Sequence, residues 1–323
     1  MKNLWILLLV PLALSCSDDE DGDDFPDVDY REEMRNFVIE IKNEALKTDP
    51  DFIVIPQNGI ELVAMSEDDM TPCGDYLDAI DGNGQEDLYY GYNNDDELTP
   101  VVETDYLCTL LNISKNAGNT ILVTDYCWTH SKMNNCYSWN NVAGYVAFAA
   151  DERELNNIPD YPENIYGENA SSMTRLSDVK NFLYLINPEN YTSKEAFISA
   201  VTATNYDLLI MDYFFSESDY FTDVEVNQLK QKANGGTRLV IAYMSIGEAE
   251  DYRYYWKEEW NETELEWLEG ENPDWEGNYK VQYWNSNWKA VIYGQPDSYL
   301  TKILDSEFNG VYLDIIEAFE YFE

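Results

Sequence analysis

"GVYLDIIEAFEYFE", residues 310–323, reads as a buried strand from Gly310 to Ile316, with Asp314, Glu317 and Glu320 gathered at its end. Continuous rather than alternating hydrophobicity marks a parallel strand covered on both faces. Such a strand feeds into a helix, and none follows before Glu323. A stretch that suits the vacant place lies near the other terminus. "REEMRNFVIEIKNEALKT", Arg31 to Thr48, sets Met34, Phe37, Val38 and Ile41 on one face at three- and four-residue spacing.

Six more runs repeat the strand pattern: "FIVIPQN" (52–58), "TILVTDY" (120–126), "YVAFAAD" (145–151), "FLYLINP" (182–188), "LLIMDYF" (208–214) and "LVIAYMS" (239–245). Weaker strands are expected at Tyr76–Ile80 and Lys280–Tyr283. Helical stretches lie between, one opening at Thr222 as a cap and closing at Gly235–Gly236, another closing at Gly310. Strands and helices alternating at this count mean a (β/α)8 barrel or a doubly wound sheet. No GxGxxG follows a strand, so the dinucleotide-binding form of the second option loses its main support. Residues 153–180, rich in Pro, Asn and Ser, break the rhythm as a long polar connector.

The formal net charge of −44, with no basic stripe, excludes the usual nucleic-acid surface and suits a cationic partner. One histidine, His130, and no CxxC leave no ordinary metal site, and no cofactor is expected. Residues 1–16 read as a signal peptide, with Lys2 before the apolar stretch Leu4–Leu14. "LALSC" resembles the lipobox of bacterial lipoproteins, which makes Cys16 the lipidated residue and the anchor the only membrane contact. The acidic run after it, within a tether spanning 17–30, resembles a surface-export signal, so an outer-membrane, surface-exposed lipoprotein is expected. Outside the cytoplasm Cys73, Cys108, Cys127 and Cys136 allow three disulfide pairings, Cys127–Cys136 being the favoured pair.

Barrel enzymes place chemistry at the C-terminal ends of strands. Those ends carry Asn58, Glu86, Asp125, Asp212, Glu248, Glu250 and Asp314. Carboxylates facing one mouth without histidines suit acid–base work on a glycosidic bond, which needs one protonated and one ionised carboxyl group. Among 26 tyrosines and nine tryptophans, Tyr89, Tyr243, Tyr283 and Trp284 fall near strand ends, where aromatic faces stack on sugar rings.

"YMSIGEAEDYRYYW" (243–256), "NPDWEGNYKVQYW" (272–284), "GVYLDIIEAFEYF" (310–322) and "PDFIVIPQNG" (50–59) together resemble glycoside hydrolase family 114, in the branch once labelled cysteinyl-tRNA synthetase-related. The resemblance implies a single-domain (β/α)8 barrel over 31–323 and endo-α-1,4-polygalactosaminidase-like activity on a cationic amino-sugar polymer. In typical members the segment like 310–323 precedes the helix and the 50–59 strand, so the resemblance implies a circular permutation, with 153–180 joining the ancestral ends. It implies Asp314 as nucleophile or base and Glu86 as general acid. Asp212, Glu250, Arg253, Glu317, Tyr243, Asn58, Asp125 and Trp284 are the expected substrate contacts. Ile315 departs from the family's common Asn after the catalytic Asp. A non-catalytic glycan-binding lipoprotein on the same scaffold is the alternative.

Overall fold

Asp29 opens the first helix by accepting from the Glu32 amide, with Glu32 and Glu33 in the first turn and Lys42 in the last. Each charge sits where the helix dipole favours it. This helix, α1 (Tyr30–Ala45), buries Met34, Phe37, Val38 and Ile41, the stripe expected within 31–48, and Ala45 in addition. The computed structural model describes residues 28–323 apart from Glu67, Ser218 and Glu262. The expected signal peptide, Cys16 and the tether before Val28 lie outside the described residues.

Among the described residues eight strands run parallel: β1 (Ile53–Pro56), β2 (Gly82–Glu86), β3 (Thr120–Tyr126), β4 (Val146–Ala150), β5 (Phe182–Tyr184), β6 (Leu208–Asp212), β7 (Leu239–Ser245) and β8 (Gly310–Asp314). They form a five-stranded sheet in the order β1-β8-β7-β6-β5 and a three-stranded sheet β2-β3-β4. A single parallel bridge, Gln57 to Gly84, links the two beyond β1. On the other side Phe148 of β4 faces Phe182 of β5, ring centres 5.7 Å apart. The chain is thus mixed α/β around a parallel core. Interleaved are α2 (Gly74–Ala79), α3 (Val101–Ala117), α4 (His130–Ala143), α5 (Lys194–Thr202), α6 (Asp223–Leu229), α7 (Ser286–Ile292) and α8 (Tyr299–Asp305). Thr222 caps α6 through a reciprocal capping box with Glu225.

Two expected strands need correction. Tyr76–Ile80 is not a strand: Gly74–Ala79 is α2. The strand after it is "GNGQE", which carries no apolar side chain. Its glycines answer to the interior, since a Cβ on Gly84 would collide with the Tyr312 hydroxyl of β8. Large tyrosines from the five-stranded sheet fill that space, and Tyr184 meets Tyr312 with ring centres 5.3 Å apart. The second correction concerns Lys280–Tyr283. Strand structure there covers Asn278–Val281 and lies outside the parallel set, pairing antiparallel with Glu248–Glu250 and Leu268–Glu271.

Residues 153–180 run from one end of the parallel strands to the other. Arg153 follows the C-terminal end of β4. Further on, the Met173 amide donates to Thr237 O ahead of β7, and Asn169 and the Lys180 amide both bind Asp207 ahead of β6. Asp207 also pairs with Lys232 at 2.8 Å, both side chains fully buried. Only the second half of the segment therefore lies at the N-terminal ends of the strands. The disulfide expectation is overturned: Cys73, Cys108, Cys127 and Cys136 are all free thiols.

The start of α1 and the C-terminal residues meet at the C-terminal side of the strands. Arg31 pairs with Glu323 at 2.8 Å, and Tyr30 packs on Phe322.

Candidate active site

β8 carries Asp314 to the edge of a cavity of about 470 Å³ that opens at the C-terminal ends of the parallel strands. On neighbouring β7, Tyr243 donates its hydroxyl to Asp314 Oδ2 at 2.5 Å. Burial pushes the Asp314 carboxyl up to about 7; the Tyr243 hydroxyl opposes the rise and the charge of Glu86 adds to it. The next residue, Ile315, turns the chain with φ 58°, a left-handed conformation costly for a β-branched side chain. That turn brings Glu317 back to the same cavity, three residues on. Burial and the adjacent Asp314 raise the Glu317 carboxyl well above its ordinary range. Its Oε2 is buried and has no hydrogen-bond partner.

Glu86, at the end of β2, lines the same cavity. Asn58 holds it: the Asn58 side chain accepts from the Glu86 amide at 3.1 Å and donates to Glu86 Oε2 at 3.1 Å. Asn58 is left-handed at φ 55°, a conformation this residue type tolerates. Tyr126, at the end of β3, bonds through its hydroxyl to Glu86 Oε1. Arg153 lies over the Tyr126 ring at 3.8 Å and pairs with Asp87 at 2.9 Å and Asp95 at 2.6 Å.

A third group flanks these carboxyls. Arg253 pairs with Glu250 Oε2 at 2.7 Å and Asp212 Oδ2 at 2.9 Å, while Tyr252 donates to Glu250 Oε1 at 2.6 Å. Burial raises the Asp212 carboxyl and Arg253 pulls it back. Both cations of the cavity are therefore committed to acids. Six carboxyls line it (Glu86, Glu154, Asp212, Glu250, Asp314 and Glu317) against Arg153 and Arg253, so a cavity this acidic favours a cationic guest.

The structure brings Asp314, Glu86, Asp212, Glu250, Arg253, Glu317, Tyr243 and Asn58 to one cavity and leaves two expected contacts elsewhere. Asp125 is not at the cavity. Its Oδ1 accepts from the Tyr89 and Tyr90 amides at 2.7 and 3.2 Å, so it fixes the loop after β2. Trp284 is also elsewhere, packed on Tyr30 and Phe322 beside a separate cavity of about 480 Å³. Tyr283 is fully buried and donates to Tyr30 O, and Glu248 is held by Asn272 and Tyr321.

Sequence reasoning missed Tyr126, Arg153, Tyr252 and Trp275. Tyr126 ends the run "TILVTDY", one residue past the Asp125 that drew attention. Trp275 lies in the quoted "NPDWEG", and its 63% exposure at the cavity rim leaves an indole face free for a sugar ring. Arg153 carried no signal, standing in a polar connector.

The comparisons with known proteins bear on this site. Residues 185–322 match glycoside-hydrolase family GH114. The GH114 match takes in Asp212, Tyr243, Glu250, Arg253, Asp314 and Glu317, and stops short of Asn58 and Glu86. An uncharacterised protein of Methanocaldococcus jannaschii is 40% identical over 155 residues, 47% of this chain and 42% of the relative. One from Thermotoga maritima is 40% identical over 123 residues, 38% of this chain and 36% of its own. One from Deinococcus radiodurans is 35% identical over 123 residues, 38% and 37% respectively. The chain thus spans about two fifths of the length of these curated relatives.

Proposed function

We propose that the protein is a glycoside hydrolase that cuts within an amino-sugar polysaccharide, an α-1,4-linked galactosamine type or a close relative. The observation that carries this reading is the meeting of Asp314 and Glu86, from the ends of two different parallel strands, at one acidic cavity. Asp314, steadied by the Tyr243 hydroxyl, acts as nucleophile or base at the anomeric carbon. Glu86 acts as general acid on the leaving oxygen. Its partner Tyr126 can accept as well as donate, so this contact accommodates either protonation state. Asp212, Glu250 and Arg253 form a fixed wall against which the ring is oriented.

The scaffold we propose is a (β/α)8 barrel, permuted in order. The Gln57–Gly84 bridge and the Phe148–Phe182 contact support closure of the two sheets on each other. The family match supports the permutation, since it covers a piece that starts after the 153–180 segment and ends near the C-terminus. The place of α1 supports it too, filling the gap after β8. Lipid anchoring at Cys16 and display at the cell surface complete the proposal and rest on the sequence alone.

The test is incubation of the soluble protein with α-1,4-galactosamine oligomers and other amino glycans, with products read by mass spectrometry. Mid-chain fragments absent with Asp314→Asn support the enzyme. Binding without cleavage of any glycan supports the non-catalytic alternative.

A further inference from the structure

We infer that Glu317, together with Asp314, is the receptor for an ammonium group of the bound sugar, and that binding expels a proton from the pair into solvent. The inference deepens the proposed function and rests on it.

Three of the cavity's other acids are matched on opposite sides of it. Asp212 and Glu250 share Arg253, and Glu86 is bonded by Asn58 and Tyr126. Glu317 Oε2 stands unpartnered at the cavity, although a buried carboxyl oxygen ordinarily finds a donor. The fully buried hydroxyl of Tyr312, two residues before Asp314, also has no partner. The charges that act most strongly on Glu317 are Asp314 from β8, Glu86 from β2 and Glu320 from its own turn, all negative, while its own backbone amide favours the ionised form. The cavity's two cations are occupied, Arg253 as above and Arg153 by Asp87 and Asp95. Arg31 reaches the same turn but lies over the Phe319 ring and pairs with Glu323.

Two carboxyls in one poorly solvated place cannot both ionise cheaply, so the empty pair retains a proton. Burial and the neighbouring Asp314 set the Glu317 carboxyl well above its ordinary range, in line with this. An arriving R–NH3+ supplies the missing charge. Glu317–COOH then loses its proton to solvent and binds R–NH3+ as the carboxylate. An N-acetylated sugar brings no charge and releases nothing. The site thereby separates free amine from acetamide through a buried charge instead of through shape.

The experiment uses Glu86→Gln to block turnover, with and without Glu317→Gln, at pH 6. Calorimetry in two buffers of different ionisation enthalpy measures protons exchanged on binding galactosamine oligomers and their N-acetylated counterparts. The expected result is release approaching one proton per oligomer for the amine only, at least tenfold tighter than the acetamide. Glu317→Gln abolishes the release and most of the preference, and Glu317→Asp restores both. Difference infrared spectroscopy of the free protein checks the starting state: a protonated carboxyl band at pH 6 that Glu317→Gln removes. Amine binding without proton release, equal affinity for the two oligomers, or absence of that band overturns the inference while leaving the hydrolase reading standing. Failure of every variant to bind or cleave any glycan overturns both.

Discussion

The guanidinium of Arg153 lies 3.8 Å from the centre of the Tyr126 ring, whose hydroxyl meets the candidate acid Glu86. Arg153 touches no reacting atom in this arrangement; it positions one through another side chain. Arg153→Ala frees the ring and unpairs Asp87, which burial sets at about 7 against the opposing charge of Arg153. The expected outcome is a roughly 10–100-fold loss in kcat with little change in KM, consistent with a group acting on the acid alone. Tyr126→Phe should give a loss of similar size, and the double variant little more than either single one. Steady-state kinetics on the four proteins checks this; additive losses would sever Arg153 from Tyr126.

Asp314 is costly to the fold. Its folded carboxyl, at about 7, lies above its unfolded value near 3.8, so the folded chain binds more protons and stability falls as pH rises through that window. Asp314→Asn should abolish turnover yet raise stability at pH 7.5 by an amount on the order of 1–2 kcal/mol, with no gain at pH 4. Denaturant unfolding at the two pH values reads the difference.

The same residue shapes the rate profile. A nucleophile must be ionised, so kcat/KM, which reports the free enzyme, should fall as pH drops through about 7 and level off above it. Tyr243→Phe removes the hydroxyl that favours the ionised form, and the limb should move to higher pH. A limb that moves down instead contradicts the assignment.

Ile315 carries strain where the resembled family commonly has Asn. At φ 58° a β-branched residue costs about 1–2 kcal/mol that Asn or Gly largely avoids. Ile315→Asn should therefore raise stability by about 1 kcal/mol, read as an upward shift in denaturant midpoint at unchanged slope.

Arg253 answers for two acids at once. Arg253→Ala leaves Glu250 and Asp212 without their cation, and the expected loss is about 3–5 kcal/mol, as for breaking one side of a buried pair. Arg253→Ala combined with Glu250→Gln should recover part of it in the same unfolding assay.

Where the chain announced itself, it did so by covered hydrophobicity. β3 and β7 stand at the bounds expected, because runs buried on both faces leave little ambiguity. β2 was misplaced to Tyr76–Ile80 for the opposite reason: its glycines make room for Tyr312, a constraint imposed by a residue 228 positions from Gly84 in the chain. Asp314, Glu317, Asp212 and Glu250 were legible as acids at strand ends. Asp125 shared that pattern, and only its two backbone donors show that it serves a loop. Trp284 shows the same limit. Nearness to a strand end in sequence does not say on which side of the rim a ring falls.

The division of the strands into five and three has a mechanical consequence. Asp314 rides on the larger sheet and Glu86 on the smaller, and no continuous ladder joins them. Their spacing depends on two seams: the Gln57–Gly84 bridge and the Asp81 amide bonded to Val54 O, with the Asn58 clamp beside them, and the aromatic contact of Phe148 with Phe182. A seam can breathe where a ladder cannot. The gap between the two carboxyls, the quantity that decides whether water or protein attacks first, is thus a soft coordinate of the molecule, and a polymer lying across both sheets would act on it like a splint.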